Sequence, residues 1–329
     1  MIQACHKEHW DSFCDFYEKH GADNLWQSPQ WFRFMKATNR NPEIFVLRRG
    51  EKICASFQVT TRYLPTGFSY SYLGRGPVIL HELLGTEKEC RLFREIISFL
   101  KARPVQYTLI DPCAAPGRIP ELIRIKSKDR GIIPNHTRVI DLTRTEKDIL
   151  LQMTSKGRYN VRLAEKRGVR VREGTELDRF YELMRESSQR HKIPLQSKGT
   201  FEKMLQLLNA KLFFAEKQGI LHATALLVIY KNKAVYYYGA SSRQYARDMG
   251  SYLLQWSMIK YAKQAGCKIY DFHGVSPQNE VEHYLRNVSI FKKRFGGRIE
   301  DYEKHRILVS GPIRYFIFSL IKKALLPFF

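Results

Sequence analysis

The sequence is short of acid. Its 329 residues carry 32 Asp+Glu against 55 Lys+Arg, a formal charge of +23 at pH 7, and the pI lies near 9.8. So large a deficit predicts an anionic partner: nucleic acid, a phosphorylated metabolite or an acidic membrane surface. The plain alternative is a basic surface kept for solubility. Regular cysteine spacing is also missing. Cys5, Cys14, Cys54, Cys90, Cys113 and Cys267 form no C-x-x-C pair, which excludes a zinc ribbon or disulfide framework and suits a reducing cytosol. No run of about 18 uncharged apolar residues occurs, so no segment is expected to span a bilayer. Met1–Gly21 contains Lys7, Glu8, Asp11, Asp15 and Glu18, too polar for a signal peptide's apolar region. A cytoplasmic protein is therefore expected, and the sequons at Asn135 and Asn287 are read as chance matches. There is no phosphate-binding P-loop and no dinucleotide fingerprint. His6-Lys-Glu-His9 lacks metalloprotease spacing, so no metal is assigned.

What is present is an ordinary globular composition, 44% hydrophobic and 26% charged, on a chain long enough for two domains. It carries a weak internal duplication. Ile44–Val59 reads as two strands around Gly50, followed by the helical pattern Glu87–Lys101 and a strand, Val105–Asp111. The order recurs in the second half. Leu212–Gly219 turns into Ile220–Ile229, then come Lys233–Gly239, a helix over Ser251–Ala265, and Lys268–Asp271. Two copies of one hairpin–strand–helix–strand unit account for this.

Further helices are predicted over Ser28–Ala37, Thr145–Lys166, Leu177–Arg190 and Lys198–Asn209. Pro112, Pro116 and Pro120 break the chain after the first unit. The domain boundary is placed near Thr143–Lys147, giving residues 1–144 and 145–305, with 306–329 packing back on the first domain. The C-terminal segment Ile313–Phe329 is apolar with three basic residues. It reads either as a terminal helix on the protein's own core or as a helix in a membrane interface, with Lys322 and Lys323 toward anionic headgroups.

The hairpin–strand–helix–strand unit is the pattern expected of a GNAT acyltransferase fold, an α/β (α+β) architecture with mixed sheets flanked by helices. Acyl-CoA enzymes of that fold carry R/Q-x-x-G-x-G/A at the start of their central helix, where bare N–H groups meet the pyrophosphate. The best match is Arg247-Asp-Met-Gly250-Ser-Tyr252. Tyr252 fills space the phosphates need and Asp248 adds a repelling charge. The fold pattern is present and the coenzyme A loop is damaged.

Several short motifs, in order and spacing, resemble the FemABX peptidyltransferases over nearly the whole chain. They are Leu25–Trp31 (LWQSPQW), Gly74–Pro77 (GRGP), Thr108–Pro112 (TLIDP), Lys156–Val169, Tyr237–Ala240, Tyr270–Gly274 (YDFHG) and Phe291–Gly297 (FKKRFGG). No heptad insertion interrupts the second half, so the chain is similar to members lacking a coiled-coil arm. The resemblance implies two tandem GNAT-like domains facing each other across a cleft. It implies an aminoacyltransferase moving an amino acid from aminoacyl-tRNA to the stem-peptide amine of a peptidoglycan precursor. The acceptor is UDP-MurNAc-pentapeptide or a lipid-linked precursor. No cofactor is expected beyond the tRNA co-substrate. Both substrates are polyanions, in keeping with the charge.

The roles that follow are implied by the same resemblance. Lys292 matches the position that stabilises the oxyanion, and Phe291 an aromatic that contacts the tRNA 3′ end. Asp111 matches an aspartate that orients the acceptor; a turn-forming Asp-Pro pair is the alternative. Lys36 matches a lysine on the nucleotide diphosphate, and Lys198 falls where the family has a phosphate-binding arginine. Arg75, in the Gly74–Pro77 motif, and Tyr238 are assigned to substrate binding. Arg158, Arg162 and Lys166 recur along a basic helix as a stripe for tRNA phosphates, the alternative being a solvated face. Asp271 and His273 read as an acid–base pair or as turn caps. Two rivals stand: an acyl-CoA N-acyltransferase with a divergent phosphate loop, and a non-catalytic RNA- or membrane-surface-binding protein.

Overall fold

The computed structural model describes residues 1–64, 67–113, 132–277 and 282–325, with side chains to residue 320. In chain order the first stretch contains β1 (Ile2–Ala4), α1 (Trp10–His20), α2 (Pro29–Ala37), β2 (Pro42–Arg49), β3 (Lys52–Tyr63), β4 (Ser69–Gly74), β5 (Val78–Ile79), α3 (Glu87–Lys101) and β6 (Tyr107–Asp111). There follow β7 (His136–Asp141), α4 (Glu146–Leu151), α5 (Ser155–Lys166), β8 (Arg170–Gly174), α6 (Leu177–His191) and α7 (Lys198–Leu207). The second repeat is β9 (Ala210–Lys217), β10 (Ile220–Tyr230), β11 (Lys233–Ser241), α8 (Gly250–Gln264) and β12 (Ile269–Gly274). The chain continues through α9 (Arg286–Lys293), β13 (Arg298–Asp301), β14 (Arg306–Val309) and α10 (Pro312–Leu325).

These elements form two compact units, residues 1–135 with 301–329, and residues 136–300. The sequence reading divides the chain at 144/145 and 305/306 instead. The difference at the first point is β7, which pairs antiparallel with β12 and so counts with the second sheet.

In the first unit the sheet order is β1-β2-β3-β4-β6-β14, with β5 on β3. All pairs are antiparallel except β4 with β6. The apolar face of α3 (Leu92, Phe93, Ile96, Leu100) packs with Phe45, Phe57 and Ile110 of the sheet in one buried core. In the second unit the order is β13-β7-β12-β11-β10-β9-β8, and β11 with β12 is the parallel pair. Here α8 is buried along most of its length, and shares a core with Ile140, Phe213, Tyr270 and Phe272. The runs β2-β3-β4-β6 and β9-β10-β11-β12 repeat one order, the expected duplication. The fifth strand differs in origin: β14 supplies it in the first unit and β7 in the second.

Helix ends follow their caps. Ser28 Oγ accepts from Trp31 N at 3.0 Å and starts α2 with Pro29 in the first turn. The predicted single helix Thr145–Lys166 is two, α4 and α5, because Thr145 and Thr154 each cap a fresh start.

Candidate active site

The two parallel strand pairs end differently, and that decides where a reaction centre is available. In the first unit β4 and β6 stay paired from Tyr70↔Tyr107 to Gly74↔Asp111, and Arg75 N extends the ladder to Asp111 O at 2.5 Å. In the second, β11 and β12 pair only at Lys233↔Ile269, Ala234↔Tyr270 and Val235↔Asp271. Beyond Val235 the register of β11 against β10 slips, with Leu227 opposite Tyr236 and Leu226 opposite Tyr238. Tyr237 is the extra residue of a β-bulge, a device that bends a strand and re-aims its side chains. The parallel strands therefore open into a wedge between Tyr236–Ser241 and Phe272–Gly274.

Lys292, from α9, reaches this wedge. Its Nζ donates to the Gly274 carbonyl at 2.6 Å and lies 5.8 Å from the centroid of the Tyr236 ring. Only 5% of its surface is exposed. Burial pulls the ammonium down to about 7, opposed in part by the Asp271 carboxylate. That carboxylate is fixed in turn: Oδ1 accepts from Thr137 Oγ1 and, at 2.7 Å, from His273 N, and Oδ2 lies 3.9 Å from Lys233 Nζ. The Tyr236 hydroxyl is bonded to buried Gln255, and burial raises it to about 12. Gln255 also accepts from Tyr270 Oη at 2.7 Å. A Cβ on Gly239 would come within 2.1 Å of Tyr236 Oη, so that position must be glycine for the ring to lie there. His273, in the left-handed region at φ 60°, stacks on Tyr237 with centroids 5.4 Å apart. The wedge thus holds Lys292, poised between charged and neutral forms, against an aromatic face and a fixed carboxylate that Lys233 also approaches.

Phe291, beside Lys292, is half-buried and meets Tyr252 edge-on at 5.1 Å and Phe295 at 5.3 Å. Tyr238 is half-buried, edge-on to Phe201 of α7 at 5.0 Å. Lys198 is exposed and ion-paired with Asp178, which raises its pKa. Arg162 and Lys166 are exposed on α5, whereas Arg158 turns back to donate to the Leu151 (3.1 Å) and Met153 carbonyls. The basic stripe thus keeps Arg162 and Lys166 as outward charges, while Arg158 caps the end of α4. The start of α5 also abuts the end of α9. Thr154 N donates to the Arg294 carbonyl at 3.0 Å, and a Cβ on Gly157 would meet that oxygen at 2.4 Å.

In the first unit Arg75 and Asp111 come together and are both buried. Arg75 donates to the carbonyls of Pro112 at 2.9 Å and Pro134 at 2.6 Å, with Tyr302 stacked 3.6 Å beneath its guanidinium. Asp111 Oδ2 accepts from Tyr72 Oη at 2.7 Å, Ile132 N at 3.1 Å and Ile133 N at 2.9 Å. Its Oδ1 is buried with no hydrogen-bond partner among the described residues. Arg75, read from sequence as a substrate ligand, is occupied clamping the chain on either side of the 113–132 segment. Lys36 is exposed in the last turn of α2.

The coenzyme A position of the second unit carries its own anion. At the start of α8, Asp248 lies 3.4 Å from Lys217 Nζ, 3.7 Å from His222 Nδ1 and 4.0 Å from Arg167 Nε. A carboxylate satisfies the two cations, Lys217 and Arg167, that a pyrophosphate would otherwise meet, and burial lowers the pKa of His222. Among the described residues no cluster of His, Cys, Asp or Glu is arranged to hold a metal. No helix there is long and apolar enough to cross a membrane.

Tyr236, Thr137 and Gln255 escaped the sequence reading, and Gly274 entered it only as the end of the Tyr270–Gly274 motif. No local pattern marks the first three, because their role exists only once β11 and β12 diverge.

Two mixed units repeating one strand order, the second opened at its parallel pair, define the class: a tandem GNAT-like acyltransferase fold. Within that class the chain belongs to the FemAB family, which matches residues 126–216 and 206–323. It is 36% identical over 89 residues to a lipid II:glycine glycyltransferase of Staphylococcus epidermidis, 26% of this chain and 21% of that protein. To the aminoacyltransferase FemA of Staphylococcus epidermidis it is 31% identical over 101 residues, 31% of this chain and 24% of that protein. These matches span about a quarter or less of the curated relatives' length. Among solved structures it is similar to FemX, with a TM-score of 0.77 at 19% identity over 96% of this chain and 99% of that one. A tandem GNAT protein from the clavulanic acid biosynthesis pathway shares the fold with a TM-score of 0.52 at 11% identity, covering 93% of this chain and 96% of that one.

Proposed function

We propose that this protein is an aminoacyltransferase that moves an amino acid from aminoacyl-tRNA to the stem-peptide amine of a peptidoglycan precursor. The placement of Lys292 carries the reading: a buried ammonium held by Gly274 in the open wedge of the second unit. The names of the relatives, glycine transfer to lipid II and aminoacyl transfer, support an amino-acid donor and a lipid-linked acceptor.

Aminolysis of an ester needs no protein nucleophile. The neutral amine of the acceptor attacks the ester carbonyl, forming the C–N bond and a tetrahedral oxyanion. Lys292 donates a hydrogen bond to that oxyanion, whose charge exists only along the reaction path. Collapse reforms the carbonyl and expels the 3′-terminal ribose oxygen. That oxygen takes up a proton as the attacking nitrogen gives one away. Phe291 lies next to Lys292 and gives a stacking surface for the terminal base. Arg162 and Lys166 hold tRNA phosphates, and Lys36 and Lys198 are assigned to the diphosphate of the acceptor. Asp111 keeps its assignment to acceptor orientation from the resemblance; its Oδ1 is buried within the first unit and unpaired among the described residues.

The test is transfer of radiolabelled amino acid from a panel of charged tRNAs to UDP-linked and lipid-linked precursors by the purified chain. Transfer that is lost in Lys292→Ala is the expected result. Folded protein inactive across the panel overturns the reading, and saturable coenzyme A binding redirects it to acyl-CoA chemistry.

A further inference from the structure

Helix α10 carries a second surface that aminoacyl transfer does not use. Tyr315 and Phe318 pack inward: Tyr107 meets Tyr315 edge-on at 5.4 Å, and Phe318 lies 5.8 Å from Tyr107 and 5.4 Å from Phe68. On the other side Ile313, Phe316, Ile317 and Leu320 are 77%, 62%, 45% and 51% exposed. Their spacing of three, four and seven residues puts them on one stripe. A helix that only closed its own core would turn polar residues outward there. Phe68 sits at the end of the β3–β4 hairpin, and Tyr63 of that same end is 73% exposed. The charge of this segment has one sign. From residue 307 to residue 329 the sequence contains no Asp or Glu, but it has Arg314, Lys322 and Lys323; Arg306 before it is paired with Glu303. Arg314, in the first turn of α10, is exposed.

We infer that the outward face of α10 docks on an anionic lipid surface, its apolar stripe entering the headgroup–acyl boundary and the cations of the segment meeting lipid phosphates. Over its described residues the helix is too short to cross, and on this reading it lies in the interface plane. An apolar stripe facing a protein partner needs no such one-sided charge. The inference stands apart from aminoacyl transfer, since lipid binding is read with no substrate present. If both hold, the enzyme meets a lipid-linked acceptor at the surface where that acceptor resides.

The experiment is sedimentation of the full chain with vesicles of phosphatidylcholine mixed with phosphatidylglycerol, and with pure phosphatidylcholine vesicles. Binding to the mixed vesicles, falling about tenfold or more in the Phe316→Ser, Leu320→Ser double variant, is expected. Arg314→Glu lowers binding several-fold on the mixed vesicles alone. Both variants change exposed side chains, and unchanged unfolding midpoints and unchanged transfer to the water-soluble acceptor confirm the fold. Should the double variant not fold, Arg314→Glu and the salt dependence of binding carry the same test. Absence of binding to mixed vesicles, or binding indifferent to both variants, overturns the inference. A concentration-dependent dimer abolished by the double variant, without vesicle binding, assigns the stripe to a second copy instead.

Discussion

Lys292 is held in surroundings that disfavour its charge, and the consequences run in opposite directions for stability and for activity. Burial brings it from an ordinary 10.5 to about 7 in the folded chain. Between those values the unfolded chain binds a proton that the folded one does not, so stability rises as pH climbs through that window. Lys292→Met abolishes this rise and raises the thermal midpoint at neutral pH, while turnover falls by about 10²–10³. Calorimetry over pH, beside the transfer assay, checks both halves. The reaction needs Lys292 charged and the attacking amine neutral, so turnover in the parent rises with pH only up to about 7, where loss of the Lys292 proton offsets the gain in free amine. In Lys292→Arg, whose guanidinium does not titrate there, the remaining activity goes on rising past that point. The motif Phe291-Lys-Lys-Arg-Phe pointed to Lys292 through its resemblance, but no local feature of it says why that lysine and not its neighbour is buried. Lys292 is buried and Lys293 exposed, a distinction made by which side of α9 meets the wedge.

Elements were legible where a local signal fixed them. Glu87–Lys101 was expected as a helix and is α3, and Ser28 begins α2 as its cap chemistry requires. The stretch Thr145–Lys166 was read as one helix because its apolar spacing runs through the break. Two threonine caps and buried Met153 end one helix and start the next. Gly157, near the start of α5, lets that helix approach the Arg294 carbonyl at the end of α9. Gly157→Ala forces the two apart, and we expect a loss of about 1–3 kcal/mol, read from the shift in urea midpoint. The same change moves α9, so transfer falls even in protein that is fully folded. Arg162 and Lys166 face outward along α5. Replacing both with Glu weakens tRNA binding and flattens its salt dependence by about two in the slope of log affinity against log salt. An unchanged slope removes α5 from the tRNA surface.

At the scale of the whole molecule, each sheet borrows a strand from outside its own repeat. β14 pairs with β6 in the first unit through Arg306↔Ile110 to Val309↔Tyr107. A chain ending before residue 306 leaves the β6 edge open and removes Ile307 and Leu308, both buried in the parent. We expect that truncation to lose the unfolding transition of the first unit and keep that of the second; two intact transitions would show β14 to be dispensable. By itself the sequence left β4 of the first copy unread, but it determined the duplication, the surplus of positive charge and the damaged coenzyme A loop. Each of those is written in local spacing or composition, which survive without coordinates. Only the tertiary structure decided that one parallel pair stays zipped while the other opens, that Arg75 is a clamp, and which lysine is buried in the wedge. Those outcomes depend on a one-residue bulge and on packing between residues far apart in the chain, where no local pattern specifies the result.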